Sequence, residues 1–433
     1  MVHIDLPQDV SSILGVLRRA GYEAYAVGGC VRDSLIGKKP KDWDITTSAL
    51  PEEVKGLFSR TIDTGIKHGT VTVMVNSTGY EVTTYRVDGE YLDGRHPEEV
   101  EFTANLSEDL KRRDFTINAF VYNEEEGIID LFGGLEDLRN GVIRCVGVPE
   151  ERFGEDALRI LRAIRFAASL SFSIEPGTYR AAGTLAGNLK KVSAERIRTE
   201  LEKTLISDNP DYICMLRDLG IDRAILDELI ALSGEESLKK ALKASVSEPA
   251  VRWAVLCFFI EKDGGLETAP GSISKGMMQR LKFDNRTMDR VLLFLKTFKE
   301  FGHTGLYPDG DMGVFGRRLL NVVGAEDIYY YLDFASAVTL QQTGQGAESQ
   351  NLQMPYSIKK DIRDCVRGIL ERDECYSLKQ LAVNGRDIQK VLGIKGKEVG
   401  EMLDYLLGLV IASPEKNSGE YLLEVAKAYG QGL

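Results

Sequence analysis

Apolar and polar positions alternate in short bursts through the first 150 residues, and then the period changes. Tyr22–Val27, Trp43–Thr47, Thr70–Val75, Tyr80–Arg86, Ile117–Tyr122 and Ile128–Leu131 are rich in β-branched and aromatic residues. Each lies between Gly, Asp or Asn breaks, which predicts strands. A helix is predicted before them at Pro7–Ala20. The segment Val87–Pro97 holds two glycines and a proline with little periodic apolar content, which predicts a mobile loop. After Pro149 the spacing turns helical, with Leu158, Leu161, Ile164 and Ala168 on one stripe. Helical patterning continues to Val399–Ile411, interrupted by the polar stretch Gln341–Met354, which reads as a linker. The expected class is α+β, an α/β head followed by an extended all-helical part.

Length and charge refine this picture. A chain of 433 residues exceeds one ordinary core and predicts two to four domains. The longest apolar run, Trp253–Ile260, is too short to span a bilayer, so no membrane is expected. The first residues carry no basic region or long apolar run, and six scattered cysteines show no CxxC spacing. Together these predict a cytoplasmic protein with reduced thiols. Nothing in the sequence calls for a protein partner. The net charge of −12 is unevenly placed. Residues 1–150 hold 26 acids and 16 bases, a net of −10, whereas residues 151–200 hold 9 bases and 6 acids, a net of +3. The acidic half suits a cation site, and the basic stretch permits an RNA partner.

Four constellations carry candidate chemistry. Gly28-Gly29 follows an apolar strand and precedes Arg32-Asp33. Glycine lets backbone N–H groups approach a triphosphate, Arg32 can bind its oxygens, and Asp33 can order the turn. A tight strand–helix connection needs the same glycines. Asp42 and Asp44, at i and i+2 on a strand, point the same way. Two hard carboxylates beside a phosphate-type turn suit Mg²⁺ and nucleotidyl transfer. Glu81 is a candidate third carboxylate or a surface glutamate. Lys111-Arg112-Arg113 offers three successive cations to a nucleotide, with Arg113 foremost, or forms an exposed turn paired to Glu108 and Asp109. Last, Asp156, Arg159, Arg162 and Arg165 fall at steps of three, a polar band on a helix. The band is an ordinary salt-bridged face or a base reader. A carboxylate only accepts hydrogen bonds and a guanidinium only donates. An Asp156–Arg159 pair therefore welcomes the amino group and ring acceptor of cytosine and adenine and clashes with uracil and guanine.

These residues resemble the class II tRNA nucleotidyltransferases, the bacterial CCA-adding enzymes of Bacillus type and their poly(A) polymerase relatives. The matching pieces are GGCVRD, DWDITT, TGIKHGTVTV, EVTTYR, YLDGRHP, KRRDFTINAF, DLFGGLEDL and EDALRILRAIRFA, with SAERIRTEL and the tail VNGRDIQKVLGIKGKEVGEMLDYLL weaker. The resemblance implies a nucleotidyltransferase head with a mixed sheet at 1–150, a neck at 151–215 for base recognition, a helical body at 216–355 and a tRNA-binding tail at 356–433. It implies Mg²⁺ on Asp42 and Asp44, with Asp42, Asp44 and Glu81 catalytic. Nucleotide contacts are implied for Gly28, Gly29, Arg32, Asp33, Arg113, Asp114, Asn118, Asp156, Arg159, Arg162 and Arg165. It implies template-independent addition of CMP, CMP and AMP, from CTP and ATP, to the tRNA 3′ end with release of pyrophosphate. An enzyme adding only A, or a poly(A) polymerase, shares the whole head. A non-catalytic RNA-binding protein is a more distant alternative. Lys190/Lys191, Arg196/Arg198 and the Lys395–Lys397 loop are the basic candidates for RNA. Cys30, where the family often has Ala or Pro, reads as a buried small residue.

Overall fold

The computed structural model describes residues 3–88, 100–230, 232–263, 271–302, 311–339 and 356–430. The stretch Gln341–Met354 and residues 89–97 of the expected loop lie outside them. The chain packs as two compact units, Met1–Ile230 and Ala231–Leu433.

The first unit is built on a seven-stranded sheet. Its strands are β1 (Ala24–Val27), β2 (Ile45–Thr47), β3 (Thr61–Gly65), β4 (Thr70–Val75), β5 (Thr78–Thr84), β8 (Phe120–Asn123) and β9 (Gly127–Asp130). The order is β3-β4-β5-β2-β1-β8-β9. β2 and β5 run parallel, and the other pairs are antiparallel, so the sheet is mixed. Helix α1 (Gln8–Arg19) buries Val10, Ile13, Leu14 and Leu17, the i, i+3, i+4, i+7 stripe its sequence predicts. These pack with Ala24, Ile45, Val71, Val73 and Val82 on one face of the sheet. Burying four such side chains contributes about 6–12 kcal/mol before chain entropy is subtracted. On the opposite side Tyr25, Val27, Tyr85, Leu110 and Val121 form a second cluster, which α4 (Leu106–Lys111) joins through Leu110.

Several boundaries differ from expectation. The run Ile117–Tyr122 is not one strand: Thr116–Asn118 forms a 3₁₀ turn and β8 starts at Phe120. Asp114 Oδ1 accepts from the Phe115 N–H and the Asn118 amide, a local alternative that a strand ladder cannot match. Val87 and Asp88, expected in the loop, belong to β6 (Arg86–Asp88), which pairs with β7 (Val100–Phe102) as a separate ribbon. Helices α2 (Gly29–Leu35), α3 (Pro51–Leu57), α5 (Gly134–Asn140), α6 (Pro149–Glu155), α7 (Leu158–Leu170), α8 (Pro176–Thr184) and α9 (Ala194–Leu205) complete the elements used below. The stripe Leu158, Leu161, Ile164 and Ala168 is buried on α7 as predicted.

Among its described residues the second unit contains helices and no strand. Phe258, Phe298 and Phe334 meet edge-on in its core, with ring centroids 5.3–6.3 Å apart. A further cluster gathers Ile388, Leu406, Val410 and Leu422. Among the described residues no helix is long and apolar enough to cross a membrane.

Candidate functional site

β1 ends at Val27, and Gly28 turns the chain with φ of 79°. A side chain there would be strained, and its Cβ would sit 3.1 Å from Arg113 Nη1. Glycine is therefore required both by conformation and by close approach of a cation. The Val27 N–H donates to the Asp44 carbonyl at 3.0 Å, which places Asp44 beside this turn and one residue ahead of β2. Trp43 leans into the α1-side core, Ile45 is buried, and Asp42 and Asp44 are both exposed. The two carboxylates thus share the solvent side, as their spacing predicts, although they precede β2 instead of lying within it.

β2 lies parallel to β5 with Ile45 opposite Val82. Asp44 and Glu81 each precede that pair by one residue, so Glu81 stands level with Asp44 on the neighbouring strand, also exposed. The Asp44 carboxyl is pushed above its ordinary range, first by desolvation. Arg113 pulls it back down, while the charges of Glu81 and Asp42 push it up. Among the described residues no three Asp, Glu, His or Cys side chains converge as a metal cage. Two exposed carboxylates still suit a divalent cation of the Mg²⁺ kind, which typically takes one or two carboxylates and completes its shell with substrate phosphates and water.

A chain of polar contacts leads away from the turn. Arg32 donates to Asp33 from Nε and Nη2, at 2.9 and 2.6 Å, and from Nη1 to Asn118 Oδ1 at 2.6 Å. The Asn118 amide donates to Asp114 Oδ1 at 3.0 Å. Asp114 Oδ2 accepts a fork from Arg162, Nε at 2.9 Å and Nη2 at 2.7 Å. Burial alone would raise the Asp114 carboxyl, but Arg162, Asn118 and Arg159 hold it down at about 2. Asp114 and Asn118 are both buried, so the structure places them as anchors for Arg162 and Arg32.

Phe166 joins the arginines. The guanidinium carbons of Arg165, Arg32 and Arg162 lie 3.8, 5.0 and 5.3 Å from its ring centroid. Such contacts favour cations over an aromatic face and restrict where each guanidinium points. Arg165 also donates to Glu200 on α9.

The polar band is organised otherwise than its spacing suggested. Asp156 lies between α6 and α7, not on a helix, and its Oδ1 accepts from the Leu158 N–H at 3.0 Å. Its Oδ2 is paired with Arg196 of α9 at 2.7 Å. Arg159, nearly buried, donates to the carbonyls of Arg152 and Arg112 and to Glu155. Asp156 and Arg159 do not bridge each other as an ordinary salt-bridged face would: Asp156 pairs with Arg196 and Arg159 with Glu155, because α9 packs its cation against the Asp156 carboxylate.

Other residues in this network escaped the sequence reading. Arg112 and Arg113 do pair with Asp109, but Asp109 is wholly buried, so their turn is not a simple exposed one. Arg113 Nε is buried with no hydrogen-bond partner. The sequence singles out neither Phe166 nor Glu200, and it marks Arg196 only as an RNA candidate, its partner Asp156 lying 40 residues away. Of the RNA candidates, Lys190 and Lys191 are exposed, whereas Arg196 is committed to Asp156. Cys30 is buried, and desolvation pushes its thiol up to about 11, so it is no nucleophile.

Comparison with known proteins adds the family context. The Poly A polymerase head domain family matches residues 24–144, and the family of the probable RNA and SrmB-binding site of polymerase A matches residues 171–232. The chain is 55% identical over 204 residues to a CCA-adding enzyme of Leuconostoc mesenteroides, a match spanning 46% of this chain and 51% of that protein. It is 35% identical over 437 residues to a CCA-adding enzyme of Lactiplantibacillus plantarum, spanning 99% of this chain and 98% of that one. The structure of the Bacillus stearothermophilus CCA-adding enzyme in complex with CTP superposes with a TM-score of 0.77 at 32% identity, covering 98% of this chain and 99% of that one.

Proposed function

This chain belongs to the CCA-adding enzymes, and from that premise we propose that it adds CMP, CMP and AMP, taken from CTP and ATP, to the 3′ end of tRNA. Each addition releases pyrophosphate and needs no nucleic-acid template. The observation that carries this reading is the placement of Asp42 and Asp44, exposed side by side at the Gly28 turn, with Glu81 level on the next strand and the Arg113 guanidinium against the turn.

Each group has a part that follows from its chemistry. The Gly28-Gly29 turn admits the triphosphate close to the backbone, and Arg113 and Arg32 supply positive charge for its oxygens. Asp114 and Asn118 hold Arg162 and Arg32 in place, so these cations need little reordering when substrate arrives. Asp42 and Asp44 would hold Mg²⁺, which supplies charge neutralisation at the phosphates and lowers the cost of generating an attacking oxygen. Glu81 is the carboxylate that acts as base on the proton of the attacking 3′-hydroxyl. Asp156 and Arg159, each fixed by a partner other than the base, present an acceptor and a donor that select cytosine and adenine edges. Lys190 and Lys191, and in the tail the Lys395–Lys397 loop, are contacts for tRNA phosphates, so tRNA affinity falls with added salt.

In this reading residues 1–150 are the catalytic head, 151–215 the neck, 216–355 the body and 356–433 the tail, and the enzyme works in the cytoplasm. The test is incorporation of labelled CTP and ATP into tRNA ending at its discriminator base. The expected product gains two cytidines and one adenosine. A chain that accepts no C on that substrate, or adds A without limit, overturns the proposal in favour of an A-adding enzyme or a poly(A) polymerase.

A further inference from the structure

Asp109 has no solvent contact and no part in the chemistry assigned so far. It lies on α4, four residues before Arg113, and its carboxylate gathers donors from several elements. Oδ1 accepts from Arg112 Nε at 3.0 Å and Nη2 at 2.7 Å, and from the Arg86 backbone N–H at 3.4 Å. Oδ2 lies 3.2 Å from the Thr46 hydroxyl, whose single proton it shares with the Thr83 carbonyl at 3.3 Å, and faces Arg113 Nη2 at 3.5 Å. Thr46 sits on β2, two residues beyond Asp44, and Arg86 opens β6. Arg112 extends the reach, because its carbonyl accepts Arg159 Nη2 at 2.8 Å.

A fully buried carboxylate is costly to keep charged unless guanidiniums and hydrogen bonds surround it. Here they do. Burial pushes the Asp109 carboxyl up, and Arg112 and Arg113 more than reverse this. The charge is therefore retained at a place where an apolar side chain would pack at less risk. What the charge secures is a fixed spacing between three parts of the site: the strand behind Asp44, the cation at the Gly28 turn, and the carbonyl that holds Arg159.

We infer that Asp109 is a positioning residue for the incoming nucleoside triphosphate, tying Arg113, and through Arg112 also Arg159, to the strand that follows the metal-binding pair. The inference rests on the nucleotidyl-transfer reading of the site. It separates from a role in folding alone because it concerns the nucleotide and not the tRNA. Arg113 loosened from Asp109 no longer presents its charge at one point beside the turn, so nucleotide binding weakens while the RNA surface is untouched.

The experiment uses the full chain with Asp109→Asn, which keeps the shape and removes the charge, and Thr46→Val, which removes one donor to Oδ2 and keeps the volume. For Asp109→Asn the KM for CTP and for ATP rises about tenfold, the scale of a lost charge-assisted hydrogen bond, while the KM for tRNA is unchanged. The equilibrium Kd for CTP measured without tRNA rises by the same factor. Thr46→Val raises the same constants about threefold, less than Asp109→Asn because only one of the several donors to the carboxylate is lost. A folded Asp109→Asn protein whose CTP constants stay within about twofold of the parent overturns the inference, as does an equal rise in the tRNA KM. If Asp109→Asn does not fold, Thr46→Val decides: unchanged CTP constants in that variant overturn it. Failure of the parent chain itself to add C to truncated tRNA strikes the function reading instead, and so the two are told apart.

Discussion

Asp114→Asn removes the charge at the centre of the arginine network while keeping the volume. In the parent the carboxyl is held at about 2 against an ordinary 3.8, which corresponds to about 2 kcal/mol of folding free energy. Its side chain is only 10% exposed, so solvent screens little of this, although Arg162 at 34% recovers some water in the variant. The sign follows from the direction of the shift. A depressed carboxyl stabilises the folded state fully above the unfolded pKa, near 4, and the contribution fades as pH falls towards 2; about half is gone by pH 3. The assay is urea unfolding of parent and variant at pH 7 and at pH 3, followed by circular dichroism. With a slope of about 3 kcal/mol per molar urea, the midpoints separate by about 0.7 M at pH 7 and by about half that at pH 3. Equal midpoints at pH 7, or a gap that does not narrow in acid, would refute the argument that Arg162 and Asn118 hold this carboxylate ionised.

Three further outcomes follow from the same geometry. Asp42→Ala abolishes nucleotide incorporation and leaves tRNA affinity within about twofold, because the residue holds no part of the RNA surface; retained turnover in a filter assay removes the metal assignment. Phe166→Leu takes away the ring shared by Arg32, Arg162 and Arg165, and the KM for CTP rises about fivefold, in keeping with about 1 kcal/mol for loosened cation–π contacts; steady-state kinetics with unchanged constants contradicts it. Gly134→Ala would set a Cβ 2.2 Å from the Thr116 carbonyl oxygen and 2.8 Å from the Phe120 ring, in backbone that has nowhere to go. Such overpacking costs about 2–3 kcal/mol, so the thermal midpoint drops by roughly 5 °C or more, and an unchanged melting curve rules out the contact.

What could be read from the chain alone depended on whether the informative partner was near in sequence. The Asp42/Asp44 face was legible because alternation along an extended segment is a local rule. β4 was legible to its ends because Val71 and Val73 alternate with half-exposed residues. β3 was not, since Thr61–Gly65 is an edge strand with no buried residue and so carries no apolar signal. The run from Ile117 looked like a strand because its side chains are apolar, yet Asp114 and Asn118 form hydrogen bonds within it that favour a turn. Asp156 and Arg159 stand three apart, a spacing that suggests a pair on any helix. Arg196, 40 residues later, takes the Asp156 carboxylate, and no periodicity within α7 announces that. The wider network around Asp109 was hidden for the same reason: Thr46 and Arg86 come from separate stretches, whereas its pairing with Arg112 and Arg113 is local.

The separation of β2 from the arginine-bearing segments also sets a timetable for synthesis. Arg113 follows Asp44 by 69 residues, and Arg162 follows it by 118. At roughly 5–20 residues per second, Asp44 is synthesised about 3–14 s before Arg113 exists. During that interval the nascent chain has Arg32 but neither Arg113 nor Arg162, and strand β1 lacks its β8 neighbour. Arg32 in turn lacks the Asn118 oxygen that holds its guanidinium. The order of the genetic text thus completes the set of cations only as the sheet that positions them closes.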